Sequence, residues 1–136
     1  KDELEFKYRG SKIDDRLIVH NVTLRLHEAE HELIHNSMRK IYKTRKESQP
    51  LSYPSAGSVF KNPEGQFAGA LIDTANLKGT RVGGATISTK HANFIINDGG
   101  ATSADIYRLI KKVRSRILEL YDIELELEIK LIGAFE

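Results

Sequence analysis

Apolar residues at Leu17, Val19, Val22, Leu24 and Leu26 nearly alternate with polar ones, which predicts a strand over residues 16–26 with an irregularity near His20-Asn21. From Glu28 to about Glu47 the period changes. Ile34, Met38, Ile41 and Tyr42 form a stripe at spacings of four and three, predicting a helix that Gln49-Pro50 stops. A short helix is expected over 66–75, with Phe67, Leu71, Ile72 and Ala75 on one side and Leu77-Lys78-Gly79 closing it. Glycine-rich strands follow at 85–88 and 91–97. Ile106, Leu109, Ile110, Val113, Ile117 and Leu120 then mark a helix capped by Thr102 or Ser103. Residues 123–132 alternate again, as a half-buried strand does. Residues 1–15 are polar and read as an extended lead-in whose bulky anchors are Phe6 and Tyr8. The expected class is α+β: a mixed or antiparallel sheet packed with about three helices in a single domain.

The stretch 53–62, Tyr-Pro-Ser-Ala-Gly-Ser-Val-Phe-Lys-Asn, fits none of these periods and is followed by Pro63. Pro54 and Gly57 let such a loop turn sharply, and Ser58 would stand at the exit of the bend with Val59 and Phe60 anchoring it. A loop that only needs small residues explains the same pattern.

Composition narrows the function classes. The chain has 136 residues, one domain's worth, and its 21 Lys and Arg against 19 Asp and Glu leave a net charge of +2. Neither nucleic-acid nor polybasic membrane binding gains support from that balance. Absence of cysteine excludes disulfides and thiolate chemistry. No apolar run reaches membrane-spanning length, and the charged start is not signal-like. The missing initiator Met suggests a fragment of a longer protein or a processed chain.

Three other features bear on chemistry. Glu124, Glu126 and Glu128 share one strand face. The first two read as solvated, while Glu128, deeper in the strand, could be covered and act as a proton donor. His27, His31 and His35 are spaced by four, but the helix face they would line is charged and exposed, so no metal is expected; His91 reads as a hydrogen-bonded structural residue. Gly83-Gly84, near Lys78 and Arg81, could admit a phosphate or make a tight hairpin, and matches no dinucleotide or P-loop fingerprint.

Taken in order, Ala56-Gly57-Ser58-Val59-Phe60-Lys61-Asn62-Pro63, Ala68-Gly69-Ala70-Leu71-Ile72-Asp73, Leu77-Lys78-Gly79, Gly83-Gly84-Ala85, Lys90-His91-Ala92-Asn93-Phe94-Ile95-Ile96-Asn97 and Ile132-Gly133 resemble the C-terminal part of the UDP-N-acetylenolpyruvoylglucosamine reductase family. The segment Phe6-Lys7-Tyr8-Arg9-Gly10-Ser11 is similar to the Tyr-Arg-x-Ser run that precedes this domain in the family. The short spacing from Tyr8 to Leu17 resembles the second type of the family, which lacks a substrate-capping tyrosine loop.

The resemblance implies a bacterial cytoplasmic flavoenzyme of peptidoglycan synthesis. NADPH reduces a bound FAD, and the flavin passes hydride to the enolpyruvyl group of UDP-N-acetylglucosamine enolpyruvate. It implies Ser58 as the proton donor and Glu128 as its catalytic companion. Asn62, with Lys61 and Tyr8, would bind substrate, and Arg9 and Gly57 would lie at the cofactor. On this reading residues 1–15 lead in from an absent FAD-binding region and residues 16–136 form the substrate-binding domain. The expected partners are the nucleotide sugar and that region, with no metal, nucleic acid or membrane, and the protein is expected to be a monomer. Without the flavin region the chain is expected to be inactive alone. A stand-alone UDP-sugar binding module and a non-catalytic interaction domain are the rival readings, and retention of Ser58, Asn62 and Glu128 together argues against the second.

Overall fold

The computed structural model describes residues 4–13 and 16–134. The chain divides into two compact units, Lys1–Ile41 and Tyr42–Glu136.

In the first unit Lys7 and Gly10 form an antiparallel bridge around a turn that places Arg9 at φ +52°. Phe6 and Tyr8 are exposed, so the described part of the lead-in, residues 4–13, holds a turn without apolar anchors. Residues 17–30 form no helix or strand, and Leu17, Val19, Val22, Leu24 and Leu26 all face solvent. The strand expected over 16–26 is therefore not formed. An apolar alternation stabilises a strand only where a sheet receives it, and among the described residues none pairs with this segment. The helix α1, His31–Ser48, begins in this unit and buries none of its residues.

The second unit carries the core. Its sheet has the order β1-β4-β3-β2, all pairs antiparallel, with β1 at Ser55–Ser58, β2 at Arg81–Val82, β3 at Ala85–Ile87 and β4 at Phe94–Asn97. The helix α2, Ala68–Thr74, buries Ala68 and Ile72. The helix α3, Ser103–Tyr121, buries Leu109, Ile110, Val113 and Ile117 of the stripe its sequence announces, while Ile106 is half-buried and Leu120 is exposed. The buried residues of both helices pack with Val59, Phe60, Ile87 and Leu125 into one cluster; counting α1, the described residues form three helices and an antiparallel sheet, the α+β class.

Local chemistry explains the ends. Thr102 Oγ1 accepts from the Asp105 N–H and Asp105 answers by accepting from the Thr102 N–H, a reciprocal cap on α3. The glycine stop expected at Gly79 for α2 is made earlier by Asn76, at φ +57°. The Asn76 N–H donates to the Asp73 carbonyl and the Leu77 N–H to the Ile72 carbonyl, which closes the helix. Gly83-Gly84 is the tight hairpin between β2 and β3, pairing Val82 with Ala85. A Cβ on Gly84 would meet Ala101 N at 2.4 Å, so packing sets that glycine and leaves no space there for a phosphate.

The strand expected over 123–132 is realised as a single bridge, Phe60 with Leu127. Hydrogen bonds from the Lys61 N–H to the Glu126 carbonyl and from the Glu128 N–H to the Val59 carbonyl, both 2.8 Å, extend it. Its alternation holds all the same: Leu125 is fully buried, Glu124 and Glu126 are exposed, and Glu128 is half-buried.

Candidate functional site

Ser58 closes β1, the strand that the sequence reads as a loop. Pairing of Ser55 with Ile96 and of Ser58 with Phe94 sets a three-residue step on β1 against a two-residue step on β4, which is a bulge. Gly57 sits in it at φ +83°, and an added Cβ there would meet nothing within 4 Å. The glycine is thus required by backbone conformation, not by crowding.

Beyond Ser58 the chain is held tightly. The Val59 N–H donates to the Asn93 carbonyl at 2.9 Å. The Asn93 side chain then grips both backbone groups of Phe60: its Oδ1 accepts from the Phe60 N–H at 2.9 Å and its Nδ2 donates to the Phe60 carbonyl at 2.8 Å. Asn93 is 5% exposed, so these are bonds between buried groups that water does not replace.

Asn93 belongs to a compact turn before β4. Ser88 Oγ accepts from the N–H groups of Lys90 and His91 at 3.1 and 3.3 Å, and the Phe94 N–H donates to the His91 carbonyl. The Asn93 N–H donates to His91 Nδ1 at 3.2 Å, and the imidazole packs on Phe94 with ring centroids 4.8 Å apart. An accepting Nδ1 leaves the neutral ring's proton on Nε2. Burial lowers the His91 pKa from 6.5; a backbone hydrogen bond at His91 opposes that, and the charge of Lys78 adds to it.

An open cavity of about 400 Å³ joins these pieces, lined by Ser58, Asn62, Gly69, Asp73, Lys78, Lys90, His91 and Asn93. Asn62 also caps α2: its Oδ1 accepts from the Ala68 N–H at 3.1 Å, supplying the bond that Phe67 at the N-cap lacks. Lys78 pairs with Asp73 at 2.5 Å, and Lys90 Nζ donates to the Lys46 carbonyl at 2.5 Å. Two ammonium groups against one carboxylate leave the cavity net positive, suited to an anionic ligand that also offers hydrogen-bonding oxygens.

Of the residues singled out in the sequence, Ser58 and Asn62 are brought together here. Gly57 is their neighbour in the bulge. Lys61 instead pairs with Glu126 at 3.0 Å on the surface. Glu128 runs beside the serine segment through its bond to Val59 and is not among the cavity's lining residues. Tyr8 and Arg9 belong to the first unit, where the Arg9 guanidinium lies 5.4 Å from the Tyr8 ring centroid. Lys90, His91 and Asn93 join the site without being anticipated in it; the Lys-His-Ala-Asn-Phe run is the signal that could have found them. Among the described residues no group of three His, Cys, Asp or Glu is placed to hold a metal.

The fold is a small antiparallel sheet under two helices, with Ser58 at the end of β1 and Asn62, Lys78 and Lys90 from adjoining loops lining one cavity whose charge suits an anion. Residues 49–132 match the family described as UDP-N-acetylenolpyruvoylglucosamine reductase, C-terminal domain, and the chain belongs to that family. Among similar proteins, UDP-N-acetylenolpyruvoylglucosamine reductase of Clostridium botulinum strain Hall is 46% identical over 134 residues, covering 98% of this chain and 44% of the relative. The reductase of Syntrophomonas wolfei is 46% identical over 133 residues, covering 97% and 44%. The crystal structure of UDP-N-acetylenolpyruvylglucosamine reductase (MurB) from Thermus caldophilus superposes with a TM-score of 0.81 at 44% identity, over 95% of this chain and 46% of that one. The chain thus spans less than half the length of the curated relatives it matches.

Proposed function

We propose that this chain is the substrate-binding part of an FAD-dependent, NADPH-using reductase that converts UDP-N-acetylglucosamine enolpyruvate to UDP-N-acetylmuramate in the bacterial cytoplasm. The observation that carries the reading is the convergence of Ser58 and Asn62 with Lys78 and Lys90 on one cavity. The ammonium groups suit a diphosphate, and Asn62 and His91 offer hydrogen bonds to its oxygens or to the sugar.

Hydride addition at the β-carbon of an enolpyruvyl ether leaves an electron pair at the α-carbon, delocalised into the carboxylate. The product forms when that carbon takes a proton, and Ser58 Oγ–H is the donor assigned to it. A hydroxyl releases a proton only where the oxygen left behind is stabilised. The rigid strand end and the net positive cavity favour that charge. Glu128, alongside Val59, would assist at the carboxyl end of the substrate, and Lys61 and Tyr8 would contact its periphery. Gly57 and Arg9 are the residues of this chain assigned to the flavin. At Gly57 the open space where a Cβ would stand fits the approach of a flat ring to the backbone. A reduced flavin, when bound, would supply the hydride.

Residues 1–15 would lead in from the FAD-binding region. The wide apolar exposure over 17–26 supports a partner for that segment. The rival is a nucleotide-sugar binding module without redox activity.

The test is Ser58→Ala in the full-length reductase. Flavin reduction by NADPH should persist while turnover falls roughly 10²–10⁴-fold, the range for a lost general acid. Unchanged turnover would overturn the assignment. Nucleotide-sugar binding without a role for Ser58 would favour the binding module.

A further inference from the structure

We propose that Asn93 is the positioning residue for the serine: its side chain fixes where the Ser58 hydroxyl stands in the cavity. The inference rests on the proposed protonation by Ser58.

Three observations carry it. First, Asn93 is buried, and its side-chain amide meets the N–H and the carbonyl of Phe60 at 2.9 and 2.8 Å, as a neighbouring strand's peptide would. Its own carbonyl accepts from the Val59 N–H, so one residue holds the two residues that follow Ser58 by three bonds. Second, the approach to Ser58 from the other side is a bulge at Gly57, where ladder pairing is interrupted. The ladder resumes at Ser58, opposite Phe94, so the serine's placement is set by that pair and by the bonds on its C-terminal side. Third, the Asn93 N–H is bonded to His91 Nδ1, which ties the clamp to another lining residue of the same cavity. With the serine between a bulge and a buried amide, the amide fixes geometry that apolar packing of Phe60 alone leaves free to slide.

Loss of the amide should move the hydroxyl by a fraction of an ångström to about one ångström, a displacement that costs on the order of 10²-fold in a positioned step. The experiment uses the full-length flavin-loaded reductase and compares Asn93→Ala, Ser58→Ala and the double variant. Asn93→Ala should slow reoxidation of the reduced flavin by the enolpyruvyl nucleotide sugar by ~10–100-fold. Flavin reduction by NADPH and the dissociation constant for the nucleotide sugar should stay within about twofold, as expected for a loss confined to the transition state. In the double variant, loss of Asn93 should add little to loss of Ser58, because the amide acts through the serine. Equal slowing of both half-reactions, or full additivity, would overturn the proposal. Normal reoxidation by Ser58→Ala would sink the serine reading itself, whereas a slow Ser58→Ala with a normal Asn93→Ala sinks only the clamp.

Asn93→Asp covers the case in which the alanine variant does not fold. A protonated aspartic acid offers one donor and one acceptor in the shape of the amide, whereas the carboxylate turns an acceptor toward the Phe60 carbonyl. Its reoxidation rate should fall as pH rises through the new ionisation while flavin reduction does not follow. A reoxidation profile identical to that of the parent would count against the clamp.

Discussion

A methyl group on Gly84 would stand 2.4 Å from Ala101 N and 2.5 Å from the Gly99 carbonyl oxygen, both backbone atoms that cannot swing aside. Gly84→Ala should therefore cost about 1–3 kcal/mol or more, seen as a drop of roughly 5–15 °C in the unfolding midpoint. His91 gives a pH signature of the opposite kind, with the protein's shape unchanged. Its folded pKa lies below 6.5, so the unfolded chain takes up the proton first as pH falls. Stability should decline as pH drops from about 6.5 toward the folded pKa, and be insensitive to this group above that window. Thermal unfolding of His91→Gln should show a shallower decline over the same range; an identical slope would contradict the linkage. At this scale the sequence is informative where a residue acts within its own neighbourhood. Ser58 and Asn62 lie four positions apart in a motif that can be read directly. Asn93 is more than thirty residues away from its partner Phe60, and only sheet pairing joins them.

Among the elements, helices are legible and strands are not equally so. The stripe of α3 from Ile106 to Leu120 repeats over about four turns with its middle in the core, and its cap can be read from Thr102. Thr102→Ala removes the acceptor for the Asp105 N–H and should cost about 1 kcal/mol, measurable as a lower denaturation midpoint with an unchanged denaturant slope. The strand β1 is hidden because Ser-Ala-Gly-Ser has no apolar alternation to show. Its place comes from backbone pairing with β4 and from Val59 and Phe60 beyond it, which are the buried part of the segment. The opposite failure occurs at 17–26, where alternation is present and no strand forms. A period of two states which side chains agree with one another, and says nothing of whether a neighbouring strand is there to pair with.

For the whole molecule, apolar exposure is concentrated in residues 17–42. Ile18 is 94% exposed and Leu26 82%, and Leu33, Met38 and Tyr42 on α1 are also open to solvent. The proposed flavin-binding region would give such surface a partner. Amide exchange over 17–26 should then be at least ~10-fold slower in the full-length reductase than in this chain, as expected when exposed backbone enters a sheet. Equal exchange rates in the two would argue against pairing there. The cavity's charge yields a second expectation for the complete protein. Nucleotide-sugar affinity should weaken with added salt through screening of Lys78 and Lys90, and Lys78→Ala should lower both the affinity and its salt dependence. Calorimetry at two ionic strengths checks both.

The bulge before Ser58 also bears on how this segment tolerates changes of length. Hydrogen bonds to Asn93, Glu126 and Glu128 secure residues 59–61, while the ladder before Ser58 is already out of step by one residue. The serine is counted from its downstream neighbours. A residue inserted near Leu51 or Ser52 would be taken up in the turn that precedes β1, whereas the same insertion after Phe60 would pull the hydroxyl out of the cavity. Grafting of foreign loops and natural length variation should therefore be confined to the upstream side.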